Sequence, residues 1–194
     1  RIAQEQGFSS EQSEFHRALK IARHVREPMT KFGPIFGDLE ATYRQIQNGD
    51  GYCADATDVF LALSRAAGLH ARQWGFSIDQ FGGKGHAVNE VYDRQLRQWI
   101  YLDVFFNYYL VDAQTERPLS ARQVRAALQS KEFSAKIVPI VASRPVDFNY
   151  ERRLRWFRSG AEHWFLWWGN NVESLDQKSS IGRLANTMPA VLAR

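Results

Sequence analysis

Residues 11–26 (EQSEFHRALKIARHVR) place Phe15, Leu19, Ile21, Ala22 and Val25 at near-helical spacing, with Pro28 just beyond. That spacing predicts an amphipathic helix. Segment 28–51 is broken by Pro28, Gly33, Pro34, Gly37, Gly49 and Gly51, so an irregular stretch is expected there, with a short helical patch over 39–46. From Ala54 to Ala67 the pattern is strongly helical, opened by Asp50 and Gly51 and closed by Gly68. Three strand-like runs follow, 71–78, 85–93 and 97–106. The Gly-rich loop FGGKG separates the first two, and a short polar turn around Arg94 and Gln95 separates the second pair. Beyond Asp112 a further helix is predicted in ARQVRAALQS with Ser120 as N-cap, then the short apolar run KIVPIVA. Segment 148–168 reads as one or two amphipathic helices rich in aromatics.

Helix first and antiparallel strands afterwards predicts an α+β fold in which a catalytic helix packs on an antiparallel sheet with flanking helices. We expect a single domain over 1–194. Its parts are an N-terminal helix at 11–26, a core at about 28–112 and a helical extension at 113–194. No internal repeat or low-complexity segment interrupts it.

Composition narrows the functional classes. With 194 residues, 44% hydrophobic and 24% charged, the chain can bury a core without disulfide or metal support. The formal charge is +4 and the pI 9.3, but acidic residues are interspersed throughout, which argues against a nucleic-acid-binding surface. The sequence contains no apolar run long enough to span a bilayer. Peripheral envelope association is left open, and a periplasmic or extracellular location is favoured slightly over a cytoplasmic one. The chain begins with Arg1 and reads as a processed or excised piece. No metal, nucleotide or flavin motif is present, so no cofactor is expected.

The single cysteine, Cys53, excludes an internal disulfide and leaves packing, an incidental thiol or a nucleophile. It stands at the start of a predicted helix, where unpaired N–H groups and the positive dipole end favour a thiolate and can also serve an oxyanion. A thiolate needs a proton carrier. Of the five histidines His86 is the best placed, opening a strand just after a glycine-rich loop. Hairpin geometry nominates Asp103 as the group that orients it. A two-residue loop at Arg94–Gln95 sets His86 directly opposite Asp103, a four-residue loop makes them diagonal neighbours on the same face, and an odd loop separates them.

Gln47, six positions before Cys53, is a candidate oxyanion donor, balanced against an ordinary solvated loop residue. Tyr52, Trp74 and Gly85 are candidate substrate contacts, although Trp74 and Arg72 fit sheet packing at least as well. Asp55 and Asp58 are expected to cap or solvate the first turns of the helix. Glu90 shares the His86 face, yet a solvent-facing position is the economical reading. In WFLWWGNN (164–171) five large apolar residues follow one another. A tail helix packed back on the sheet is preferred to a docking surface.

The ordered blocks GDGYCADATDVFLALSRAAGLHAR, GKGHAVNEVYD and RQWIYLDVFFN resemble the bacterial transglutaminase-like core and the wider papain-like set. The resemblance covers about residues 47–112 and implies Cys53 as nucleophile, His86 as general base and Asp103 as orienting acid, with an upstream glutamine at the oxyanion. Val88 and Val104 depart from the aromatic and the proline usual at those places. The implied activity is acyl transfer on carboxamide or peptide bonds of a protein or peptide substrate, to water or to an amine. A catalytically silent binding or scaffold module of cell-envelope or exopolysaccharide machinery, working through the aromatic C-terminal segment, is the alternative.

Overall fold

The structure is a computed structural model that describes residues 2–8, 13–33, 35, 37–81, 83–130, 134–143 and 150–166. A four-residue helix α1 (Ile2–Glu5) precedes α2 (Glu14–Arg26), and α3 (Leu39–Gln47) occupies the helical patch inside the irregular stretch. Ser13 caps α2 by accepting the His16 N–H at 3.3 Å, and Asp38 caps α3 by accepting from Ala41 at 2.9 Å. Each cap satisfies an N–H that a helix start leaves without an internal partner.

The longest helix among the described residues is α4 (Cys53–Ala66). Asp55 holds its first turn by accepting the Tyr52 N–H at 2.8 Å. At its other end Gly68, at φ +74°, donates to Arg65 while Leu69 donates to Ser64, each at 2.9 Å. This is the Schellman closure that glycine permits. Thr57, Val59, Phe60, Leu61, Leu63 and Ser64 of α4 are buried. Burying a side chain such as Phe60 contributes roughly 1.5–3 kcal/mol.

The chain then forms β1 (Ala71–Ser77), β2 (Gly85–Asp93), β3 (Gln98–Asp103) and β4 (Tyr108–Asp112), crosses α5 (Ala121–Gln129), and adds β5 (Ala135–Pro139), α6 (Tyr150–Ser159) and β6 (Trp164–Leu166). Among the described residues these strands make one six-stranded sheet, ordered β5-β4-β3-β2-β1-β6, with antiparallel pairing throughout. The α+β architecture expected from the sequence is the one observed. Strand alternation sends Val91, Ile100 and Leu102 to the face covered by α2 and α4, and Trp74, Phe76, Val88 and Tyr101 to the face covered by α5 and α6.

Apart from small shifts at element ends, two segments differ from the sequence reading. The strand expected to continue to residue 106 ends at Asp103, and the chain reverses through Val104–Asn107 into β4. Asn107, at φ +69°, makes that reversal, and its fully buried side chain bonds Val141 through both amide atoms, at 2.8 and 3.1 Å. Segment 148–168 is not helical throughout. Within it α6 ends at Ser159, and Trp164–Leu166 pairs with β1, so the start of the aromatic run is an edge strand rather than a tail helix. Residues 167–171 lie outside the described residues.

Candidate active site

The short connection Ala67–His70 turns the chain from α4 straight into β1, so β1 runs back alongside the helix. The N-terminus of α4, the end of β1, the start of β2 and the end of β3 therefore gather at one end of the sheet. Asn89 and Thr57 fix this arrangement. The buried Asn89 amide donates to the Thr57 carbonyl at 3.2 Å, and the Thr57 hydroxyl donates to the Cys53 carbonyl at 2.5 Å.

The β2–β3 register pairs Asp93 with Gln98 and Asn89 with Leu102. The turn is thus the four-residue Arg94–Arg97, not the two-residue Arg94–Gln95 that would set His86 directly across from Asp103. Asp93 explains the longer turn: it is fully buried, accepts the Leu96 N–H at 2.8 Å, and reaches the start of α2 by accepting from Phe15 at 2.9 Å. His86 and Asp103 keep the same face as diagonal neighbours, and His86 Nε2 meets Asp103 Oδ2 at 2.8 Å. Both side chains are withdrawn from solvent.

Asp103 is held from two further directions, one of them backed by a second tyrosine. Its Oδ1 accepts the Phe106 N–H at 3.0 Å, its Oδ2 accepts the Tyr101 hydroxyl at 3.4 Å, and Tyr101 and Tyr108 join their hydroxyls at 3.2 Å. Burial, with the Asp103 negative charge beside them, holds both phenols well above their ordinary pKa, so they stay neutral.

Cys53 is half-buried and hydrogen-bonded to His86, with the Ala87 N–H donating to its sulfur. Burial pushes the thiol up, but the hydrogen bond and charge of His86, with the Ala87 N–H, outweigh it and leave the thiol below its ordinary value. For His86, burial pulls down while the Asp103 charge and hydrogen bond, assisted by Cys53, raise it to about 9. Both shifts favour a thiolate beside an imidazolium over the neutral pair, with Nε2 committed to Asp103 and Nδ1 left for the sulfur.

The other candidates sort differently. Gln47 ends α3 with its side chain exposed and makes no hydrogen bond among the described residues. Tyr52, 43% exposed, precedes Cys53. Gly85 is exposed beside His86, and a Cβ there would stand 2.5 Å from the Phe76 carbonyl oxygen, so the close approach of β1 demands glycine. Trp74 is buried, and its indole donates to Glu90 Oε2 at 2.5 Å, the sheet-packing position that was the alternative to a substrate contact.

Glu90 does not face solvent, contrary to expectation. It is fully buried, accepting from Arg72 Nε at 2.7 Å, Trp74 Nε1, and the Ala121 N–H at 2.6 Å at the start of α5. Helix α5 lies over its face of the sheet, which the sequence pattern did not reveal. The roles of Tyr101 and Tyr108 were also missed. Tyr101 was within reach, because it lies two residues before Asp103 on the same strand face. Tyr108 was not, because it depends on the reversal at Asn107. Among the described residues no group of three or more His, Cys, Asp or Glu side chains is arranged to hold a metal, and no helix is long and apolar enough to cross a membrane.

The transglutaminase-like superfamily core model matches residues 2–104 of the 194, and the chain belongs to that superfamily. No curated protein and no solved structure matches it.

Proposed function

We propose that this protein is a cysteine-dependent acyl transferase or hydrolase acting on carboxamide or peptide bonds of a protein or peptide substrate. The observation that carries the reading is the continuous hydrogen-bonded series from Cys53 through His86 to Asp103, closed by the 2.8 Å Nε2–Oδ2 contact. The Cys53 sulfur attacks the carbonyl carbon, and the charge that develops on oxygen is met by the N–H groups at the start of α4. Gln47 is the second donor we assign to that oxygen. The C–N bond then breaks, the departing amine takes the proton from His86, and a thioester remains on Cys53. Water or an amine attacks the thioester, returns a proton to His86 and restores the thiolate. Asp103 keeps the ring oriented throughout and stabilises its charged form whenever His86 holds the proton.

The test uses the lone thiol. Alkylation of Cys53 by iodoacetamide, followed by intact mass, should proceed well below pH 7 in the native protein. In His86→Ala it should follow an ordinary thiol titration near pH 8.5. Asp103→Asn should slow the reaction at pH 6 by at least about tenfold, while leaving the rate above pH 9 close to that of the native protein. An ordinary thiol titration in the native protein would overturn the reading in favour of a silent binding module.

A further inference from the structure

Five aromatic rings surround the His86 imidazole. Phe106 stacks on it at 4.6 Å with the planes 29° apart, and Phe76, Trp156, Phe157 and Phe105 have their centroids at 5.6, 5.7, 5.9 and 6.1 Å. Phe76, Phe105 and Phe106 belong to the sheet and the turn after Asp103. Trp156 and Phe157 come from α6, outside the residues that the superfamily model matches. They also touch one another at 5.4 Å, and each touches Phe76, at 5.7 and 5.2 Å.

Helix α6 is locked in this position. Gly160, just past its end, lies so close to β1 that a Cβ would stand 2.8 Å from both the Phe76 ring and the Ser77 carbonyl oxygen. The Ala161 carbonyl accepts from Arg125 of α5 at 2.7 Å.

A cage of apolar rings without charge preference would favour neutral imidazole by excluding water. Aromatic rings are different, because their quadrupoles attract a cation that aliphatic side chains of the same size would merely desolvate. The titratable groups facing His86 are Cys53 from α4, Asp103 from β3, and the tyrosine pair Tyr101 and Tyr108 behind Asp103. Among the described side chains of α6 only rings face it, Arg155 and Arg158 being exposed.

We propose that Trp156 and Phe157 are positioning residues for His86: helix α6 closes an aromatic cage that holds the ring between Cys53 and Asp103 and stabilises its charged form. The inference rests on the reading that His86 serves the Cys53 thiolate. It makes the site a joint product of the superfamily core and the segment that follows it.

The test compares the full chain with Trp156→Phe, which keeps a ring, and Trp156→Leu, which keeps apolar bulk alone, by the pH dependence of Cys53 alkylation. The expected result is a rate within about twofold of native for Trp156→Phe and a fall of about fivefold at pH 6 for Trp156→Leu. The two should converge above pH 9. A Trp156→Leu profile that overlays the native one would overturn the proposal. Should that variant not fold, the native sequence grown with increasingly fluorinated tryptophan decides. Among the described residues Trp156 alone brings an indole against His86, and fluorination weakens the ring quadrupole with little change of shape. A stepwise loss of the pH 6 rate supports the cage, and an unchanged rate rejects it. Native protein that titrates as an ordinary thiol would instead remove the acyl-transfer reading and this inference with it.

Discussion

His86 and Asp103 share one hydrogen bond, Nε2 to Oδ2 at 2.8 Å, and that bond keeps a proton on a ring that burial alone would strip. The proton has an internal source, since the neighbouring Cys53 thiol is held below its ordinary pKa. We therefore expect folding to move a proton from sulfur to nitrogen inside the molecule.

A distinctive stability profile is expected from this exchange. Between about pH 6.5 and pH 8.5 the unfolded chain carries one proton on the thiol, and the folded protein carries one on the ring. The numbers match, so the pair contributes no slope to stability in that window. Cys53→Ser removes one side of the exchange. His86, with its folded pKa still raised by Asp103, then stabilises fully below pH 6.5, and that contribution is lost as pH rises through the folded pKa. The difference in urea midpoint between native and Cys53→Ser protein, measured from pH 6 to 9, should change with pH in that direction. A constant difference would show that no proton is exchanged.

Glu90 is expected to dominate the far side of the sheet energetically. Its carboxylate satisfies the Arg72 guanidinium, the Trp74 indole and the first N–H of α5 while fully buried. Glu90→Ala should lose about 3–5 kcal/mol, because it leaves a cation and two donors without their acceptor. Urea denaturation monitored by tryptophan fluorescence would measure it. A loss under about 1 kcal/mol would mean that Arg72 turns outward to water without penalty.

Gly85→Ala should be costly for a reason unrelated to backbone freedom. The added methyl meets the Phe76 carbonyl oxygen at 2.5 Å, a main-chain atom of the paired strand that has no room to yield. A destabilisation of about 1–3 kcal/mol is expected, with slower Cys53 alkylation at pH 6 because His86 is the next residue. Native stability and native alkylation together would show that β1 and β2 separate at this end without consequence.

Much of this was legible from residue order alone. The α4 boundaries, the three strands at the centre and the Ser120 cap all rest on local rules, and local rules read well in a sequence. The meeting of His86 with Asp103 followed from strand parity, which survives any even loop. The loop's length did not follow, because it is set by Asp93 bonding to α2, a contact between elements far apart in the chain. Glu90 was misread for the same reason: what covers it is α5, a later helix whose placement no periodicity in the central strands announces. Gln47 showed only a spacing, and spacing does not say where an exposed amide at a helix end will point.

Phe76 and Trp164 are neighbours in the sheet, 5.0 Å apart and stacked, yet distant along the chain. A ribosome delivers β1 long before it delivers β6, so for the whole of that interval one side of β1 stands bare, with N–H and C=O groups ready to accept any strand that arrives. The rightful partner is among the last of the described segments to emerge. A message cut short before Trp164 would still encode Cys53, His86 and Asp103, but its product would carry an unsealed seam beside them and would tend to stitch itself to other copies through it.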